Sequence, residues 1–124
     1  MVSTVSETSN ASSIDGPAID DELIRDSTDS ALAMQLGTTT RGEIDARTPA
    51  LIGHLERLLV ADLGADSDDV VEELYRRAYK LLDLRHRPTP DTPAFTAYFF
   101  MRDVAGLARR LLWVYSQRSG PGVS

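Results

Sequence analysis

Cysteine is absent from this chain of 124 residues, which removes disulfides, thiolate zinc sites and a cysteine nucleophile together. Such a chain suits a reducing compartment. Long apolar runs are missing too: none approaches the roughly 20 residues that a membrane-spanning helix needs. Residues 1–13 also lack the basic start and apolar stretch of a signal peptide, so the expected location is the cytoplasm, without membrane association. Lysine occurs once, at Lys80, against twelve arginines. That bias fits phosphate or carboxylate recognition by a planar guanidinium. Codon usage in a GC-rich genome gives the same bias and is the simpler account. No P-loop, dinucleotide fingerprint or Ser/His/Asp triad is present. No cofactor is expected.

Charge is unevenly placed. Residues 1–40 hold seven acids and one base, Arg25, whereas residues 41–124 hold twelve of each sign. The net charge of −6 therefore belongs to the front of the chain, and the rest carries no overall field to recruit nucleic acid or an anionic membrane. Residues 85–118 are nonetheless locally basic, with Arg85, Arg87, Arg102, Arg109, Arg110 and Arg118 against Asp91 and Asp103.

No alternating strand pattern or solenoid repeat appears, and the remaining signals are those of an all-α bundle with three main helices. Residues 1–27 are rich in Ser, Thr and Asp without a sustained apolar period, which predicts a disordered acidic tail. A helical domain over residues 28–118 follows, then a disordered end over 119–124. Residues 30–36 can form a short extra helix, closed by Gly37 and the threonines after it. The first main helix is placed at 41–63, with Ile44, Leu51, Ile52, Leu55, Leu58 and Leu59 on one face. Pro49 interrupts it; because Ile44 keeps phase with the residues beyond, a kinked continuous helix is favoured over a fresh start capped by Thr48. Gly64 is the expected stop.

Ser67, Asp68 and Asp69 open the second main helix, placed at 67–84, with Val70, Val71, Leu74, Tyr75, Ala78, Leu81 and Leu82 inward. Glu72 with Arg76, and Glu73 with Arg77, form i,i+4 pairs on its outer side. A stiff linker, residues 87–91, leads to a third helix placed at 93–117, with Thr92 as N-cap and Pro93 at its first position.

That last helix carries two faces. Its apolar arc, from Tyr98 and Phe100 to Leu112, Val114 and Tyr115, is wider than a surface helix requires. On the other side Phe95, Phe99, Arg102, Gly106, Arg109 and Trp113 form a second stripe of aromatics and arginines around a glycine. A mid-helix glycine costs about 1 kcal/mol relative to alanine, which implies close approach by another body. In the structural reading the stripe packs on the N-terminal helix or a second copy, with arginines stacked on Trp113 and Phe99. In the ligand reading Gly106 opens a notch for an anionic or aromatic small molecule. Exposed apolar patches more often mark interfaces, so the structural reading and a homodimer come first.

Other residues suited to chemistry are few. His54 has no His, Asp or Glu three or four residues away, so the helix offers no metal site by itself, but a neighbouring pocket would make it a general base. His86 is expected to satisfy helix-end carbonyls. Tyr75, Tyr79, Tyr98 and Tyr115 read as core-edge residues with hydroxyls in water. The catalytic candidates are therefore His54, Tyr98, Arg102 and Arg109.

Three segments carry a resemblance: Arg41-Gly42-Glu43-Ile44 with Pro49, Val71-Glu72-Glu73-Leu74-Tyr75-Arg76-Arg77, and Arg87-Pro88-Thr89-Pro90 leading to Tyr98-Phe99-Phe100-Met101-Arg102-Asp103. Over about residues 41–118 the chain resembles an actinobacterial family of small helical natural product biosynthesis proteins. The resemblance implies a setting in secondary metabolism and supplies no catalytic residues. Arg41-Gly42-Glu43-Ile44-Asp45 with Leu51-Ile52 also looks like the opening helix of all-helical chorismate mutases. The basic residues that family uses next have no counterpart, since residues 58–66 contain none. Two functions follow as expectations: a small helical accessory protein, homodimeric and partnered with a biosynthetic enzyme, or a cofactor-independent cyclase or isomerase acting on a biosynthetic intermediate.

Overall fold

A computed structural model describes residues 19–61, 63–65 and 67–119, and the tail and C-terminal expectations for residues 1–18 and 120–124 lie outside them. The described residues form four helices: α1 (Asp21–Ala33), α2 (Arg41–Leu59), α3 (Asp69–Leu82) and α4 (Ala94–Ser119). No strand occurs among them. The expected all-α bundle is present, with four helices where three main ones were expected. Among the described residues no helix is long and apolar enough to cross a membrane.

The additional helix, α1, occupies part of the stretch expected to be disordered. Asp20 caps it by accepting from Leu23 N at 3.0 Å, and Asp21 and Glu22 place negative charge in the first turn, where the helix dipole favours it. Its buried face is only Ile24, Thr28 and Ala31. The Thr28 hydroxyl is accommodated inside because it donates to the Ile24 carbonyl at 2.8 Å. So sparse a face is a weak signal in sequence; packing against the bundle, rather than intrinsic propensity, sustains the helix.

A 3-10 turn (Leu36–Thr38) leads to Thr40, which caps α2 reciprocally: Glu43 N donates to Thr40 Oγ1 at 3.2 Å, and Thr40 N donates to Glu43 Oε1 at 2.8 Å. Pro49 lies inside one continuous helix, on the exposed side. Ile44, Leu51, Leu55, Leu58 and Leu59 are buried. The helix ends at Leu59, before the expected position 63, because Leu63 fills the core from the following loop. Gly64 turns that loop at φ 86° beneath the Arg118 guanidinium, where a Cβ would collide.

Asp68 caps α3, accepting from Val70 N at 2.9 Å and Val71 N at 3.3 Å. Val70 points outward, contrary to expectation, since the cap sets the phase that buries Val71, Leu74, Ala78 and Leu82. Arg76 takes both acidic neighbours, Glu72 and Glu73, so the expected Glu73–Arg77 pair does not form. His86 Nδ1 donates to the Lys80 carbonyl at 2.8 Å, as a helix-end histidine should. Thr92 does not cap α4: its hydroxyl accepts from Thr89 N at 2.8 Å within the linker, and the Pro93 carbonyl accepts the first helical bond, from Ala97 N. Arg41 reaches across to the Thr89 and Thr92 carbonyls and ties the linker to α2.

The 26-residue α4 is the central element, packed most extensively on α2, then on α1, then on α3. Its inner arc is buried from Ala97 to Leu112, with Ala97, Ala105 and Ala108 permitting close approach. The outer side of α4 lies between α1 and α3.

Candidate functional site

All four catalytic candidates direct polar atoms to α1 or the residues just after it. His54 is 8 % exposed, and its Nε2 lies 3.2 Å from Ser27 Oγ. Burial lowers its pKa, the Arg57 charge lowers it further and Asp20 opposes both, so the imidazole is neutral at pH 7. The Tyr98 hydroxyl donates to the Met34 carbonyl at 2.8 Å. Arg102 donates to the Leu32 carbonyl at 3.4 Å and to Tyr98 Oη at 3.2 Å, and its guanidinium carbon lies 5.8 Å from the Tyr98 ring centroid. Arg109 pairs with Asp29. These contacts form a clasp that holds a polar, sparsely apolar helix to the bundle. They follow an antiparallel register, since Asp29, Leu32 and Met34 meet Arg109, Arg102 and Tyr98 in reverse order.

The tyrosines also depart from expectation. The Tyr98 hydroxyl is bonded within the protein, and Tyr75 Oη donates to the Ala61 carbonyl at 2.7 Å just beyond the end of α2, so neither depends on water. Tyr79 alone of the pair on α3 is exposed.

The second stripe of α4 divides by residue type. Arg102 and Arg109 turn towards α1, whereas Phe95, Phe99 and Trp113 stand outward, 56 %, 51 % and 64 % exposed. Arg102 stacks on Tyr98 rather than on Phe99, and Phe99 meets the Tyr98 ring edge-on at 5.2 Å between centroids. Gly106 has open space above it: a Cβ there would meet nothing within 4 Å. The close approach expected at this glycine is therefore not supplied by the described residues.

Beside Gly106, between α3 and α4, lies an open hollow of about 470 Å³. Arg77, Lys80 and His86 contribute from the α3 side, Arg102, Asp103 and Arg110 from α4, and Leu81 and Leu107 give apolar surface. Among the described residues Arg77, Lys80, Arg110 and Asp103 have no ion-pair partner. The rim of this hollow carries guanidinium and ammonium groups, and no Phe, Tyr or Trp lines it. Sequence reasoning missed Arg77, Lys80 and Asp103 here; the sequence offers Arg77 a partner in Glu73, so no local signal marked it as uncommitted, and only the fold brings α3 alongside α4. No group of three metal-ligating side chains occurs among the described residues.

Comparison with protein-family models, curated proteins and solved structures returns no match. The outward surface of α4 is therefore what carries a functional reading.

Proposed function

We propose that this chain is a small, non-catalytic helical accessory protein whose working surface is the outward side of α4. A second copy of the chain is its first partner, and a biosynthetic enzyme is the second. The observation that carries this reading is the exposure of Phe95, Phe99 and Trp113 along one helix, while His54, Tyr98, Arg102 and Arg109 are engaged in holding α1. Aromatic side chains are enriched at interfaces, and three of them left exposed along one helix mark a surface suited to contact. The setting, cytoplasmic natural-product biosynthesis in an actinobacterium, rests on the resemblance of residues 41–118 alone. Light scattering across a concentration series tests the self-association: the wild type should reach twice the chain mass, and Phe99→Ser with Trp113→Ser should return it to a monomer. A wild type that stays monomeric throughout refutes a homodimer.

The hollow beside Gly106 favours a second reading, a cofactor-independent cyclase or isomerase that handles an anionic intermediate. Its volume suits a small molecule, and uncommitted cations stabilise developing negative charge. In this reading Arg77 and Arg110 take the roles expected of Arg102 and Arg109. Native mass spectrometry of protein purified from its producing cells discriminates. A retained small molecule that is lost in Arg77→Ala and Arg110→Ala supports the pocket, whereas a co-purified protein or a bare dimer supports the accessory role.

A further inference from the structure

We infer that the hollow between α3 and α4 is a binding site for a phosphate monoester of a small hydroxylated molecule. This rests on the reading of the hollow as a pocket for an anionic molecule and names the class of its ligand. Arg77, Lys80 and Leu81 share one face of α3 at helical spacing, and Asp103, Gly106, Leu107 and Arg110 share the facing side of α4. Cations therefore reach the hollow from both walls. Glu73, the i,i+4 neighbour of Arg77, pairs with Arg76 instead, and among the described residues Arg77, Lys80 and Arg110 have no ion-pair partner. Arg77 and Lys80 lie one turn apart on α3, where like charges repel, so an anion held between the walls relieves both.

The lining also defines the anion. One guanidinium fork satisfies both oxygens of a single carboxylate, whereas three separate cations suit a compact group with more oxygens and more charge. A phosphate monoester offers three terminal oxygens and a charge of roughly −1.5 to −2 at pH 7. Asp103 sets a second requirement. An ionised carboxylate only accepts hydrogen bonds, so it repels a phosphate beside it and calls for a donor on the ligand. A hydroxyl supplies that donor without adding positive charge to a rim that already carries four cations. Asp103 and Arg110 are seven residues apart on α4, about 10 Å along the axis, which leaves room for a phosphate at one end and a hydroxylated body at the other. Leu81 and Leu107 give that body apolar surface, and the volume of about 470 Å³ accommodates it. Gly106 gains a role here. It lines the hollow, and the described residues leave open space where its Cβ would stand, so glycine keeps the floor free for a ligand at a cost in helix stability.

Isothermal titration calorimetry of the full chain with ribose 5-phosphate, ribose, inorganic phosphate and succinate tests both requirements. Ribose 5-phosphate should bind with a Kd below about 1 mM, and about tenfold more tightly than the other three. Arg77→Ala and Arg110→Ala should each weaken it about tenfold, and Gly106→Leu should block it. Arg76→Ala removes a cation of α3 that is already paired with Glu72 and Glu73, and should leave binding unchanged. Asp103→Asn should narrow the gap between ribose 5-phosphate and inorganic phosphate, which lost packing alone would not do; an unchanged gap overturns the hydroxyl requirement. Circular dichroism of each variant verifies the fold. Succinate or inorganic phosphate binding as tightly as ribose 5-phosphate overturns this ligand class and leaves the anionic pocket standing. Binding that survives both Arg77→Ala and Arg110→Ala lies elsewhere and overturns the assignment. If none of the three anions binds at about 10 mM, this inference and the pocket reading fall together.

Discussion

Replacing Gly106 with alanine in dilute protein should stabilise the fold, although the residue sits at the centre of the candidate site. The position is deep inside α4, twelve residues after its start, so the helix propensity of the interior applies in full. Glycine there loses more backbone freedom on folding than alanine, a difference of about 0.8–1.0 kcal/mol. Among the described residues nothing opposes the gain, because the added methyl would meet none of their atoms within 4 Å. For a domain of this size a gain of about 1 kcal/mol raises Tm by about 4–8 °C. Urea unfolding at low micromolar protein should show the midpoint rising with an unchanged slope, the mark of altered stability rather than an altered unfolded state. A neutral or destabilising effect in the dilute protein would refute the view that open space lies over Gly106.

Two further substitutions probe the clasp on α1. Tyr98→Phe removes a hydroxyl that donates to the Met34 carbonyl and accepts from Arg102; we expect a loss of about 1–2 kcal/mol by chemical denaturation. A loss below about 0.3 kcal/mol, well under the usual worth of one hydrogen bond, would show that α1 is held by its apolar residues alone. His54 gives a pH signature: burial, aided by Arg57, holds its folded pKa below the ordinary 6.5, so the unfolded chain binds the proton first as pH falls. Its contribution is therefore complete well above pH 6.5 and is lost progressively on acidification towards the folded pKa. His54→Gln keeps a polar partner for Ser27 and should flatten that part of the stability profile; an unchanged slope would remove His54 as its origin.

Those features that depend on neighbouring residues in sequence are legible there. Asp68 before Val70 and the Leu51-Leu55-Leu58 period each determine local backbone or a single face. Features that depend on another helix are not. Ile24, Thr28 and Ala31 make a helix only because α2 and α4 cover them, and a threonine that bonds its own backbone does not register as a core residue. For the same reason Arg102 and Arg109 look free in the sequence: their partners, Leu32 and Asp29, lie 70 and 80 residues away. The exposed part of the stripe, Phe95, Phe99 and Trp113, is legible as a second face because its spacing alone separates it from the buried arc. The lining of the hollow beside it is not, because Arg77, Lys80 and Leu81 come from a helix whose position no local pattern encodes.

The fastening of α1 has a consequence for how the fold opens. With Ile24, Thr28 and Ala31 as its buried residues, much of its attachment passes through single polar contacts to α2 and α4. A segment with so small an apolar share belongs to the low end of local stability and detaches before the rest unfolds. Its departure uncovers His54 and Tyr98 in one event and breaks the ties that orient Arg102 and Arg109. Amide exchange should therefore run fastest in α1 among the four helices, at a rate that follows local opening rather than global denaturation. The remaining three helices would meanwhile stay packed along α4, holding the outward face in place while the opposite bond breaks and re-forms.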